Sequence, residues 1–257
     1  KPVHRIPLLA SHHKAQFKAL PSGLKHLSAS EIEQINKDPY ASPWMAQQEK
    51  GTRPASPLPY QLYADGKLSD DGQTFKIKFA AGNEVFGASA AGSPFYVYMP
   101  EKDVAPRNYA VNAGDQLIDE WALNANENYH LQVYGPNGFF REFTGNGNDP
   151  AIDIALEYQR TAAAKKALTG NVEIKLRNTG KQKITVEVSD NAYKGKAQTK
   201  IINPGAQATL IADLSKNSGW YDLSVKVKGQ KDFEKRYAGR VETGRISITD
   251  PVMGRMV

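Results

Sequence analysis

The groups in this 257-residue sequence that could do chemistry are five histidines, a few acidic pairs and a set of aromatic residues. His4, His12, His13, His26 and His130 could ligate a metal or move a proton, but either task needs side chains that converge. His12 and His13 are adjacent, so they point in different directions on a helix or a strand alike. His130 stands between Tyr129 and Leu131, off the apolar face of its strand, where solvent is its expected neighbour. Cysteine is absent, so neither a thiolate site nor a disulfide framework can form. Asp70-Asp71 and Asp119-Glu120 lie where a β-sandwich loop could hold Ca²⁺, without the alternating oxygen ligands of a strong calcium loop. There is no G-x-S-x-G, H-E-x-x-H or G-K-[ST] pattern. The sequence therefore predicts no catalytic residue, no metal site and no cofactor, and the chain by itself is expected to be inactive.

Two sets of side chains are candidates for surface contact instead. Phe86, Phe95 and Tyr96 lie in or beside the segment NEVFGASAAGSP (83–94) and could form an exposed patch for lipid or glycan. Lys181, Lys183, Lys194, Lys196 and Lys200, with Lys175, lie on or between predicted strands, where alternation turns several towards solvent. They belong to an uneven charge distribution. Residues 1–59 carry 8 Lys+Arg against 4 Asp+Glu, residues 60–149 carry 6 against 12, and residues 150–257 carry 19 against 11. The asymmetry argues against a nucleic-acid surface and points to one basic module that could meet an anionic membrane or partner.

The elements that must position these residues are short strands. From Phe75 onward, FKIKF, NVEIKL, KITVEV and YDLSVKV alternate apolar and polar residues with period two, separated by Gly, Asn and Pro. The second half repeats the first. FKIKFAAG (75–82) resembles VEIKLRNTG (172–180), and FYVYM (95–99) resembles ITVEV (184–188). YAVNAGDQLIDEWAL (109–123) resembles KIINPGAQATLIADL (200–214), YHLQV (129–133) matches YDLSV (221–225), and FFREFTG (139–145) matches FEKRYAG (233–239). The fold class is all-β: two tandem antiparallel β-sandwich (immunoglobulin-like) domains at 60–147 and 152–248, with a tail at 249–257. The Tyr129 and Tyr221 strands are expected in equivalent places. Pro136-Asn137-Gly138 predicts a tight hairpin of type I′. AIDIALEYQRTAAAKKAL contains helix formers, yet Ile152, Ile154 and Leu156 alternate like a first strand.

Residues 1–59 read as a mostly extended linker, rich in proline, with one short helix. Ser28 three residues before Glu31 is a capping box, Ile32 and Ile35 share a face, and Pro39 ends the turn. No stretch reaches the roughly 20 apolar residues of a membrane span. KPVHRIPLLASHHK has no signal-peptide centre, and a start at Lys1 suggests that a signal or another domain precedes it.

GTRPASPLPYQLYADG (51–66), RNYAVNAGDQLIDEW (107–121), YHLQVYGPNGFFREFTG (129–145) and ISITDPVMG (246–254) carry a family resemblance. Over residues 51–254 the chain resembles the C-terminal region of bacterial phosphocholine-specific phospholipases C, the YGPNGFFREF block being the most specific part. The resemblance implies two consecutive all-β domains following a catalytic domain of the acid phosphatase and phosphoesterase superfamily. It implies a parent exported by a Gram-negative bacterium, secreted or periplasmic, that cleaves phosphatidylcholine or sphingomyelin to release phosphocholine. The family's metal ligands and nucleophile belong to that upstream domain, and no position here matches them. The expected role is then to brace the catalytic domain or assist its approach to membrane and substrate. The expected partners are the chain's own upstream catalytic domain and a phospholipid surface, not nucleic acid. The competing reading is a stand-alone lipid- or glycan-binding module.

Overall fold

The computed structural model describes residues 26–42, 49–124, 127–162 and 167–257. The chain divides into two compact units, residues 1–48 and 49–257.

In the first unit, helix α1 (Ala29–Lys37) starts at the predicted capping box. The Ser28 hydroxyl accepts from the Glu31 N–H at 3.3 Å, and Glu31 accepts from the Ser28 N–H at 2.8 Å. Together they satisfy two of the N–H groups that a helix start leaves without a partner. At the other end Asp38 accepts from the Ala41 N–H at 3.2 Å, and Pro39 begins a 3₁₀ turn.

The second unit is built of antiparallel strands. The short β1 (Pro54–Ala55) is followed by β2 (Leu62–Leu68), β3 (Thr74–Ala81), β4 (Ser93–Tyr98), β5 (Arg107–Val111), β6 (Gln116–Ala122), β7 (Tyr129–Tyr134) and β8 (Phe140–Gly145). The next set is β9 (Ile152–Arg160), β10 (Leu168–Asn178), β11 (Ile184–Asp190), β12 (Gln198–Ile202), β13 (Gln207–Ala212), β14 (Trp220–Val227) and β15 (Glu234–Arg240), and β16 (Ser247–Ile248) closes the order. The two sets connect identically. β2-β3-β6 and β9-β10-β13 form two three-stranded sheets, while β5-β4-β7-β8 and β12-β11-β14-β15 form the facing layers. Tyr129 on β7 and Tyr221 on β14 thus hold equivalent places, each opposite a glycine of the next strand, Gly145 or Gly239. A Cβ at Gly145 would lie 2.6 Å from the Tyr129 hydroxyl, and one at Gly239 3.2 Å from that of Tyr221, which accounts for glycine at the end of both repeats.

The two four-stranded layers are a single eight-stranded sheet. β8 pairs with β15 from Phe140↔Ala238 to Thr144↔Glu234, so the hydrogen-bond ladder runs across both repeats. Each repeat keeps its own core. The first is aromatic: Phe75 and Phe79 of β3 meet Phe95, Trp121, Leu131 and Phe143, with Phe75 and Tyr129 centroids 4.3 Å apart. The second is aliphatic, with Val172, Ile174 and Leu176 of β10 facing Val186, Val188, Leu223 and Val225. Each such side chain contributes about 1.5–3 kcal/mol by leaving water.

The register corrects one pairing of the repeats. Val97 faces Val133 as Val188 faces Val225, so FYVYM corresponds to VEVSD (186–190) and not to ITVEV. A shift of two residues leaves every side chain on its face, which is why period-two alternation could not detect it. Asn137 and Gly138 both have positive φ, 59° and 71°, as the type I′ turn requires. Residues 152–160 are strand, and the helix-forming residues 163–166 lie outside the described ones.

Candidate functional site

His4, His12 and His13 lie outside the described residues, and His26 is exposed. His130 lies on the outer face of β7, where its Nε2 is 2.7 Å from Glu142 and its Nδ1 3.3 Å from Glu101. Among the described residues no group of three His, Cys, Asp or Glu is placed to hold a metal ion. The acidic pairs serve the fold. Asp119 accepts from Arg107 at 2.7 Å and from the Tyr109 hydroxyl at 2.5 Å. Burial opposes its ionisation, but those two hydrogen bonds prevail and hold its pKa below the ordinary value. Asp71 closes the β2–β3 turn by accepting from Ser69 and from the Gln73 N–H.

The aromatic contact residues divide by parity. Phe95 does not belong to a surface patch: it is 0% exposed, because β4 alternates and Ser93, Phe95 and Val97 all face the core. Phe86 is half-buried beside Gly244. Tyr96 does face out, 42% exposed, and is joined by Tyr98 at 43% and Tyr134 at 42%. With Pro100 and Gln132 these tyrosines line a groove of about 450 Å³. Tyr98 and Tyr134 were not among the residues singled out from sequence. The signal lay in the alternation of FYVYM and YHLQVY, which put Tyr96, Tyr98 and Tyr134 on one outer face once β4 and β7 are known to be neighbours.

The lysines are all exposed, but they lie elsewhere. Lys181 and Lys183 are in the β10–β11 turn, Lys194 and Lys196 in the β11–β12 connection, and Lys200 on the edge strand β12. In the eight-stranded order β14, β15 and β8 separate β11 from β7, on the order of 20 Å at the usual strand spacing. The tyrosines and lysines therefore do not make one patch. Lys175 pairs with Glu157 on the neighbouring strand.

Sequence reading missed a second feature, two buried cations at the equivalent positions of the repeats. Arg141 on β8 is 1% exposed and Lys235 on β15 is 4% exposed, and both point inward beside the β8–β15 junction. Arg141 donates to the carbonyls of Phe140 and Ala238 at 2.8 and 2.7 Å and to the Tyr221 hydroxyl at 3.1 Å, with its guanidinium 4.0 Å from the Phe139 ring. Lys235 donates to the Gly66 carbonyl at 2.6 Å. Burial brings the Lys235 pKa down to about 8, against the pull of Asp65, Asp149 and Asp153. Burial likewise raises the Asp65 carboxyl, opposed by Arg141 and Lys235. Lys235, Lys67, Asp153 and Arg177 also line two adjoining clefts of about 370 and 580 Å³. Lys67 pairs with Asp153 at 2.7 Å, and Arg141 and Lys235 each donate to a carbonyl of the other repeat, an arrangement that ties the two sandwiches together.

Comparison with known proteins agrees with the repeat. The family model for the bacterial phospholipase C C-terminal domain matches twice, at residues 54–146 and 152–240. A non-hemolytic phospholipase C of Pseudomonas aeruginosa is 32% identical over 256 residues, which cover 95% of this chain and 35% of that protein. A non-hemolytic phospholipase C of Burkholderia pseudomallei is 34% identical over 84% of this chain and 30% of its own length. The hemolytic phospholipase C of Pseudomonas aeruginosa is 34% identical over 80% of this chain and 30% of that enzyme. The chain thus spans about a third of the length of these relatives. With two consecutive matches that follow the two structural repeats, the chain belongs to the bacterial phospholipase C C-terminal domain family.

Proposed function

We propose that this chain is the non-catalytic C-terminal region of a phospholipase C exported by a Gram-negative bacterium, and that it braces the catalytic part of that enzyme. The parent hydrolyses phosphatidylcholine or sphingomyelin and releases phosphocholine. One observation carries the bracing role: residues 51–55 are fastened to the C-terminal tail. β1 pairs with β16, the Arg53 carbonyl accepts from the Thr249 N–H at 2.9 Å, and the Gly51 N–H donates to Gly254 at 2.8 Å. Beside this clasp Ile246, Val252, Met253, Met256 and Val257 are exposed, Ile246 to 77%. Apolar side chains gathered where the chain enters a rigid double sandwich suit a contact with the preceding part of the enzyme. No helix among the described residues is long and apolar enough to cross a membrane.

The test has two arms. The isolated chain should turn over no phosphocholine ester, with or without a chelator; turnover abolished by the chelator would refute the reading. In the longer enzyme, Ile246→Asp together with Met253→Asp should leave the double sandwich folded and lower the melting temperature of the catalytic part. An unchanged catalytic part would refute the bracing role.

A further inference from the structure

The outward row of β4 and β7 sets Tyr96 opposite Tyr134, and Tyr98 follows two residues along β4 on the same face. The Tyr98 and Tyr134 rings stand at 89° with centroids 5.5 Å apart, an edge-to-face contact. Tyr96 and Pro100 complete the groove and Gln132 supplies its polar wall. A flat sugar ring is served by coplanar aromatic faces with free donors and acceptors around them. Here Gln132 is engaged on both ends: its Oε1 accepts from the Tyr134 hydroxyl at 3.0 Å and its Nε2 donates to Glu142 at 2.6 Å. A primary ammonium would also be badly served, because it keeps a strong hydration shell and needs several acceptors within reach.

A groove walled by three tyrosine rings instead suits a compact, weakly hydrated cation, since the face of an aromatic ring carries the negative side of its quadrupole. The surroundings carry the complementary charge. Glu142 lies behind Gln132, Glu101 lies across His130, and residues 60–149 carry 12 acidic against 6 basic side chains. The field reaches the groove: the Tyr134 hydroxyl is raised above its ordinary pKa first by partial burial and then by the Glu142 charge. Arg236, beside Phe140 on the same sheet face, is held by Asp222 at 2.7 Å and lies 3.8 Å from Glu142, whose charge it offsets in part.

We propose that the Tyr96, Tyr98 and Tyr134 groove is a binding site for a trimethylalkylammonium cation, the chemistry shared by a choline lipid headgroup and free choline compounds. The inference stands on the groove alone and is independent of the bracing role.

The 257-residue chain is titrated with tetramethylammonium chloride, with ammonium chloride at equal ionic strength as control, while the tyrosine ring resonances are followed by NMR. Shifts at Tyr96, Tyr98 and Tyr134 with the first salt and not the second are expected. Tyr98→Ala with Tyr134→Ala should weaken binding by about tenfold or more, and Tyr98→Phe with Tyr134→Phe should keep it within about twofold. The Phe pair, which retains the π faces, guards against reading a folding defect as a lost site. Sedimentation with phosphatidylcholine and with phosphatidylglycerol vesicles, at high salt so that the lysines of the β12 edge are screened, then separates the sources. Retention on the former alone, displaced by tetramethylammonium, assigns the lipid headgroup; tetramethylammonium binding without vesicle retention assigns the free compound. No ring response to tetramethylammonium, or equal retention on both vesicles that tetramethylammonium does not displace, overturns the site. So does a ring response to neutral sugars in its place.

Discussion

The two repeats share a topology and differ in what they present. On the outer face of the common sheet, the row Tyr96, Tyr134 and Phe140 of the first repeat corresponds by register to Glu187, Lys226 and Glu234 of the second. Where one repeat has ring contacts, Tyr134 to Phe140 at 5.0 Å, the other has an ion pair, Lys226 to Glu234 at 3.0 Å. The cores differ in the same way, Phe75, Phe79 and Trp121 standing where the second repeat has Val172, Leu176 and Ala212. Topology thus follows from the alternation and the turns, which both copies keep. Binding chemistry follows from outward positions that the fold leaves free, and there the copies have diverged.

One feature is common to both copies and faces inward: the buried cation, Arg141 or Lys235. The comparison breaks most severely there, because Arg141 bridges the repeats through the Ala238 carbonyl and the Tyr221 hydroxyl. Arg141→Ala should cost about 3–5 kcal/mol in urea unfolding, since it leaves those buried acceptors unpaired and Asp65 with Lys235 alone to offset its charge. A loss below about 1 kcal/mol would mean that the junction does not depend on it.

Next in size is a change on the facing three-stranded sheet. Gly66 accepts Lys235 on its carbonyl, and a Cβ there would stand 2.6 Å from the Phe75 ring tip and 3.1 Å from Phe143, both fully buried. Gly66→Ala should cost about 1–3 kcal/mol by overpacking. The equivalent position of the second repeat by register is Leu156, so the two inner faces are not interchangeable even where the strands superpose in order.

The repeat, the shared topology of its two copies and the capping box of α1 were legible because they rest on local signals: period-two alternation, glycines at turns, and Ser28 with Glu31. The fused sheet was not, because nothing in FFREFTG or FEKRYAG states that β8 and β15 are each other's neighbours. Arg141 shares its parity with Phe143, and Lys235 with Phe233 and Tyr237, but the partners that let a charge lie on a core face come only with the junction. Phe95 was misplaced by its position beside a long connection; its parity with Val97, set by strand pairing, decides its burial. Tyr98 and Tyr134 needed the β4–β7 neighbourhood to become a groove.

Lys235 also gives the junction a pH signature. Its folded pKa is about 8 against an ordinary 10.5, so between those values the unfolded chain holds a proton that the folded chain has released. Stability therefore rises with pH through that window, by at most about 1.4 kcal/mol per unit. The buried tyrosines act oppositely only above about pH 10, where the unfolded phenols ionise. Denaturant midpoints at pH 8 and 9.5 should increase for the wild type and stay level for Lys235→Met; parallel slopes would remove Lys235 from the account.

The smallest expected effect on stability lies at the other end of the sheet. Lys181, Lys183, Lys194, Lys196 and Lys200 are exposed and stand at turns or on the edge strand β12, where charge keeps an open edge from pairing with another chain. Replacing all five by Gln should move the unfolding free energy by no more than about 0.5 kcal/mol, since exposed side chains of this kind contribute little to the folded state. The same variant sharpens the contrast between the copies. Lysines near an anionic membrane contribute on the order of 1 kcal/mol each, screened over about 10 Å at 0.1 M salt. Retention on phosphatidylglycerol vesicles at low salt should therefore fall in the variant and fade in the wild type as salt is raised. The tyrosine response to tetramethylammonium should not change, because about 20 Å of sheet separates the two regions. Loss of both properties together would show that the basic edge and the aromatic groove act as one surface, and equal vesicle retention by variant and wild type would leave the lysines with edge protection alone.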